Sequence, residues 1–133
     1  MRIALAQLNY TIGDFPNNVR KIGESIRRAK TEGAELIVFG ELALCGYPPR
    51  DFLEFKDFVA RSREAAEILA RECTGICAIV GLPTENPNRE GKNLFNSAAV
   101  LSEGKITALV HKALLPNYDI FDEYRYFEPH RSF

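Results

Sequence analysis

The run Glu35-Leu36-Ile37-Val38-Phe39, fenced by Gly33 and Gly40, constrains the fold most. It is too short for a helix, and its alternating positions are apolar on both sides. Such a run reads as a strand buried on both faces, the kind found in sheets covered by helices. Its neighbours fit that setting. Arg2 to Leu8 alternates with both faces mostly apolar, which predicts a second buried strand. Between the two, Val19, Ile22, Ile26 and Ala29 recur at helical spacing, with Pro16 suited to a first turn and Gly33 to a stop. After the loop Gly40–Asp51, the residues Val59, Ser62, Ala66, Leu69 and Cys73 form a second helical stripe. Ile76 to Val80 is a further strand closed by Gly81, and Thr84 to Lys92 is a polar surface loop. Phe95–Leu101 and Ile106–Val110 are joined by Ser102-Glu103-Gly104-Lys105, which predicts a hairpin. Strand, helix, strand, helix, strand and hairpin make an α/β fold, and from the residues alone a single doubly wound sheet.

The chain of 133 residues has room for one domain. Hydrophobic residues at 46% and charged residues at 26% exclude a disordered or disulfide-scaffold chain. The net charge of -1 offers no basic excess, so nucleic acid is not an expected partner. No apolar run reaches the roughly 20 residues that cross a bilayer, so no membrane is expected either. Cys45, Cys73 and Cys77 are odd in number and follow no signal-like opening, which predicts reduced thiols and a cytoplasmic location. Lys112 to Phe133 carries Tyr118, Phe121, Tyr124, Tyr126 and Phe127. An aromatic-rich irregular stretch of that length needs something to pack on, and little chain follows it, so the sequence reads as cut short.

Phosphate-binding glycine motifs are absent, as are H-E-x-x-H and G-x-S-x-G. No metal site is expected: His111 and His130 are the only histidines, and Cys73 and Cys77 have no second ligand pair. Two residues stand out by position. Glu41 lies two residues beyond the apolar run, and open α/β sheets place ligands at the carboxyl ends of strands. Among apolar neighbours a carboxylate there is partly desolvated and suits a general base; a capping or salt-bridged glutamate is the structural alternative. Lys112 follows the strand Ile106–Val110 and suits the steadying of a developing oxyanion; a surface lysine is its alternative. Brought together in a dry pocket, the two would hold each other ionised. Cys45, four residues from Glu41, reads as a small buried packing residue. Arg50 and Asp51 read as a local pair fixing their loop.

The segment Gly40-Glu41-Leu42-Ala43-Leu44-Cys45-Gly46-Tyr47-Pro48-Pro49-Arg50-Asp51 resembles the E-L-x-x-x-G-Y-P-P-x-D segment of glutamine-dependent NAD synthetases. His111-Lys112 with Leu114 to Phe127 is similar to their second signature, and Ala4–Asn9 and Asn93–Ala98 also fit. The opening strand is shared across the nitrilase (carbon–nitrogen hydrolase) superfamily. The resemblance implies a nitrilase-like αββα sandwich of which this chain is the first half. Residues 1–133 would be the N-terminal part of a carbon–nitrogen hydrolase (glutaminase) domain, with the nucleophile strand and the synthetase domain outside it. A Glu–Lys–Cys glutaminase is implied, with Glu41 as general base and Lys112 steadying the tetrahedral intermediate. Tyr118 matches a glutamine-contacting tyrosine, and Glu123 a supporting second glutamate. The family nucleophile follows a strand beyond Lys112, and all three cysteines here precede Lys112, so the chain alone is expected to be inactive. Phe133 reads as the first residue of that next strand. No cofactor is implied for this segment; ATP and Mg²⁺ are implied for the synthetase domain, which amidates deamido-NAD. The implied partners are L-glutamine, the remainder of the enzyme and further copies in a homo-oligomer. The rivals are a free-standing amidase of the superfamily and a non-catalytic, flavodoxin-like binding module.

Overall fold

Asp14 opens the first helix: its side chain accepts from the Asn17 N–H, and Pro16 sits in the first turn, where no N–H is needed. That helix, α1 (Phe15–Thr31), buries Phe15, Ile22, Ile26 and Ala29 along one stripe. It joins β1 (Ile3–Leu5) to β2 (Leu36–Val38), and α2 (Lys56–Ala70) joins β2 to β3 (Cys77–Glu85). β4 (Leu94–Ser102) and β5 (Lys105–His111) follow, with 3₁₀ turns at Arg50–Glu54 and Glu123–Arg125. The computed structural model describes residues 1–131. The expectation for Phe133 lies outside the described residues.

The five strands form one sheet in the order β1-β2-β3-β4-β5, parallel across the first three and antiparallel thereafter. Neighbouring parallel strands connected by right-handed crossovers place both helices on the same face. The helices accordingly touch: the rings of Phe15 and Phe58 meet edge-on at 5.3 Å, and Leu69 of α2 packs over Gly23 of α1. The doubly wound reading is therefore corrected. Ile37, Ala78, Val80, Leu82, Ala99 and Leu101 face the helices and are buried. The opposite face is open among the described residues. There Ile3, Leu5 and Val110 are 47%, 77% and 61% exposed. The reading of the first strand as buried on both sides fails for the same reason: β1 is an edge strand, and apolar composition does not say what covers it.

β3 is longer than the sequence suggests, because Gly81 and Pro83 read as breakers but lie within it. Past Ile79 the strand ladders with β4 and no longer with β2, which is where a proline without an N–H is tolerated. Thr84, placed in a surface loop by the sequence, pairs with Phe95 and is buried.

The predicted hairpin is present. Glu103 and Gly104 have φ of 54° and 78°, the two left-handed residues that a type I′ turn requires. The ladder then slips by one residue. Leu101 faces Ile106 but Val100 faces Ala108, so Thr107 is the extra residue of a bulge, its hydroxyl donating to the Val100 carbonyl at 3.1 Å. Beyond it, His111 points to the helix side, its Nδ1 2.7 Å from Ser97 Oγ.

The aromatic stretch finds its packing partner within the chain. Leu115 and Phe127 are buried, Phe127 bridges to Leu94, and Asp51 binds Arg125 and Tyr126. Asp51 thus ties the Tyr47–Leu53 loop to this stretch and is not paired with Arg50.

Candidate active site

Glu41 owes its position to a crowded crossing. The chain leaves β2, passes over β3 and turns down into the core, where Leu42, Ala43, Leu44 and Cys45 are buried. A Cβ on Gly81 would collide with the main chain of Gly40 to Leu42, so only glycine allows the loop to lie so close. Leu42 takes a left-handed φ of 51° to make the turn, a strain of order 1–3 kcal/mol that its burial helps to hold. Asn18 of α1 secures the loop from below. Its Nδ2 donates to the carbonyls of Thr11 and Leu44 at 2.8 and 3.1 Å, and its Oδ1 accepts from the Thr11 N–H.

Lys112 directly follows β5 and reaches across β4. Its main-chain N–H donates to the Asn96 carbonyl at 2.8 Å. Its Nζ lies 2.8 Å from Glu41 Oε1 and 3.1 and 3.2 Å from the two oxygens of Glu123. Glu123, held in the 3₁₀ turn over the loop, is the most enclosed of the three side chains at 10% exposure, against 30% for Lys112 and 42% for Glu41. Partial burial alone would lower the Lys112 pKa, but the hydrogen bonds and charges of Glu41 and Glu123 outweigh it and raise the pKa above the ordinary lysine value. The ammonium is therefore locked on. Beside it the Tyr47 hydroxyl is raised, first by burial and then by the two carboxylates. The cluster borders an open cleft of about 260 Å³ on the uncovered face of the sheet, floored by Ile79, Gly81 and Ala98.

The structure thus brings Glu41, Lys112 and Glu123 together across 82 positions of sequence. Tyr118 is not joined to them by any hydrogen bond among the described residues. Its ring is 70% exposed and meets Phe121 edge-on at 5.8 Å. Asn96 was not read as a site residue, yet its Nδ2 donates to Glu41 Oε1 at 2.5 Å. The available signal was an asparagine inside the apolar strand Phe95–Leu101. Cys45 is fully buried, its Sγ 3.5 Å from the carbonyls of Leu42 and Gly46, and desolvation pushes its thiol up to about 12. Cys73 is also buried and raised, to about 11. Neither is poised as a thiolate. Among the described residues no cluster of His, Cys, Asp and Glu is placed to hold a metal ion, and no helix is long and apolar enough to cross a membrane.

A carboxylate bonded to a lysine that is itself anchored by a second carboxylate can move protons beside a fixed positive charge. Residues 2–132 match the carbon–nitrogen hydrolase family. The chain belongs to that family. Among its relatives is the glutamine-dependent NAD(+) synthetase of Synechocystis sp., 46% identical over 129 residues, which cover 94% of this chain and 23% of the relative. The crystal structure of a glutamine-dependent NAD(+) synthetase from Cytophaga hutchinsonii superposes with a TM-score of 0.90 at 27% identity, over 97% of this chain and 22% of that one. A mutant amidase from Nesterenkonia sp. AN1, showing the result of Michael addition of acrylamide at the active site cysteine, superposes with a TM-score of 0.75 at 26% identity, over 99% of this chain and 50% of that one. The chain therefore spans less than a quarter of the length of its synthetase relatives, and the sandwich expected of its fold finds support in these neighbours.

Proposed function

We propose that these residues form the N-terminal part of the glutaminase domain of a glutamine-dependent NAD synthetase, a cytoplasmic, homo-oligomeric enzyme. The observation that carries this reading is the Glu41–Lys112–Glu123 cluster, in which base and cation sit 2.8 Å apart at the ends of different strands. Glu41 takes the proton of a cysteine thiol supplied from outside these 133 residues, since Cys45 and Cys73 are buried and protonated and Cys77 lies in β3, away from the cluster. The thiolate attacks the side-chain amide carbon of L-glutamine. Lysine has three N–H donors; two directions are taken by Glu41 and Glu123, which leaves one for the oxygen on which charge develops. The proton held by Glu41 passes to the amide nitrogen as ammonia leaves, and water then clears the thioester. Tyr118 contacts the glutamine, and Glu123 keeps the lysine charged and aimed. The ammonia is consumed in the synthetase domain, where ATP and Mg²⁺ support amidation of deamido-NAD. On this reading the 133 residues alone do not turn over glutamine.

The stand-alone amidase reading explains the same cluster, but the synthetases superpose better, at 0.87 and 0.90 against 0.75 to 0.80. A non-catalytic module leaves a largely enclosed Glu–Lys–Glu cluster beside an open cleft without a purpose. The test is Glu41→Gln in the intact enzyme. Glutamine-dependent NAD formation is expected to fall about 10²–10⁴-fold, the usual worth of a positioned general base, while formation from added ammonium stays near wild type. A parallel fall in both activities would assign Glu41 a structural role and defeat the reading.

A further inference from the structure

Asn96 is the third residue of β4, on the sheet face that also carries Lys112, and is 4% exposed. A side-chain amide buried there is unfavourable unless it is bonded. Its Nδ2 donates to Glu41 Oε1 at 2.5 Å, while its main-chain carbonyl accepts from Lys112 at 2.8 Å. Oε1 of Glu41 therefore carries two donors, the Asn96 amide and the Lys112 ammonium. Oε2 receives none among the described residues. The terminal torsion of a glutamate is broad and nearly two-fold, so a lysine on a flexible stem does not by itself decide which oxygen it binds. A second donor, mounted on a strand paired on both edges, does.

We propose that Asn96 is a positioning residue that commits Glu41 to Oε2 as its proton-carrying oxygen. This rests on the reading of Glu41 as the general base. In the forward step the S–H bond of the cysteine breaks and its proton goes to Oε2. The sulfur pair forms the C–S bond at the amide carbon, and the carbonyl π pair moves to the oxygen beside Lys112. On collapse the proton leaves Oε2 for the departing nitrogen, and the C–N pair goes out with ammonia. Oε1, already bonded twice, takes no part. Asparagine suits the task because it is neutral: it orients the carboxylate without adding a second cation that would depress its basicity.

The test compares Asn96→Asp, Asn96→Ser and Glu41→Gln in the intact enzyme, with glutamine hydrolysis followed across pH and ammonium-dependent NAD formation as the measure of an intact fold. Asn96→Asp sets a second carboxylate against Glu41. The acid limb of kcat/KM for glutamine is expected to move up by about one pH unit or more. Asn96→Ser, too short to reach Oε1, is expected to lower kcat about 10–100-fold with little change in KM. If Glu41→Gln abolishes hydrolysis while both Asn96 variants keep the wild-type profile, the positioning role is overturned and the glutaminase reading stands. If ammonium-dependent formation falls in step with hydrolysis in both variants, Asn96 is merely structural and the proposal fails. If Glu41→Gln leaves hydrolysis intact, the reading of the base fails and takes this proposal with it.

Discussion

Replacing Gly81 by alanine adds one methyl group at the point where the Glu41 loop crosses β3. The new carbon would stand 2.8 Å from the Gly40 carbonyl oxygen and 3.0 Å from the Glu41 carbonyl carbon, and closer still to the Leu42 nitrogen. All three are main-chain atoms, so no side chain can swing away. For the Leu42 nitrogen, the nearest of them, to reach an ordinary contact of 3.4 Å, the loop must retreat by about 1 Å. Carried in full to the side chain, that displacement stretches the 2.8 Å bond between Glu41 and Lys112 to about 3.8 Å, beyond hydrogen bonding. Overpacking of this kind costs about 1–3 kcal/mol, and misplacement approaching 1 Å costs up to about 10²-fold in rate. Gly81→Ala in the intact enzyme is thus expected to lower glutamine hydrolysis about 10–10²-fold and to lower the urea midpoint. Gly40→Ala is the matched control for stability, because a Cβ there meets nothing within 4 Å; it should stay within about 0.5 kcal/mol of wild type. Wild-type hydrolysis and stability in Gly81→Ala would show that the loop does not depend on this contact.

Asn18→Ala removes three hydrogen bonds from a fully buried position and takes the side-chain partner from the Leu44 carbonyl and the Thr11 N–H, while the Thr11 carbonyl keeps the Asp14 N–H. Equilibrium denaturation should register a loss of about 1–3 kcal/mol, and a loss below about 0.5 kcal/mol would mean that water replaces the amide. Thiol labelling of the native protein should modify the half-buried Cys77 well before Cys45 and Cys73, whose thiols burial pushes up to about 12 and about 11. At pH 8 a thiol of pKa about 12 is thiolate in only about one molecule in 10⁴. Cys45 labelled first, as read by peptide mass, would contradict its burial.

Glu41 and Lys112 were legible because both follow apolar runs, and the carboxyl end of a strand is where such sheets present chemistry. Glu123 was not legible from pattern, since it lies in an irregular stretch; only its resemblance to a family signature singled it out. Asn96 stood in plain view as a polar residue within β4. Its partner is 55 positions away, and strand patterning carries no information about pairing at that distance. The sidedness of the helices followed from sequential strand order and crossover handedness, but the two apolar faces of β1 pointed toward cover on both sides. Gly81 misled for a different cause. A glycine that ends a strand and one that admits a crossing chain look identical in sequence.

The bulge at Thr107 has the standing of a phase switch. Counted outward from the Glu103-Gly104 turn in an unbroken ladder, Asn96 would lie opposite His111, and the two would share a face. The single extra residue advances β5 by one step, and a strand advanced by one step turns every later side chain over. His111 is thereby sent to Ser97 on the helix side, and Lys112 comes round to Glu41. Which cation-forming residue stands beside the carboxylate, a histidine that titrates near neutrality or a lysine that does not, is decided some five residues away by the parity of a hairpin arm.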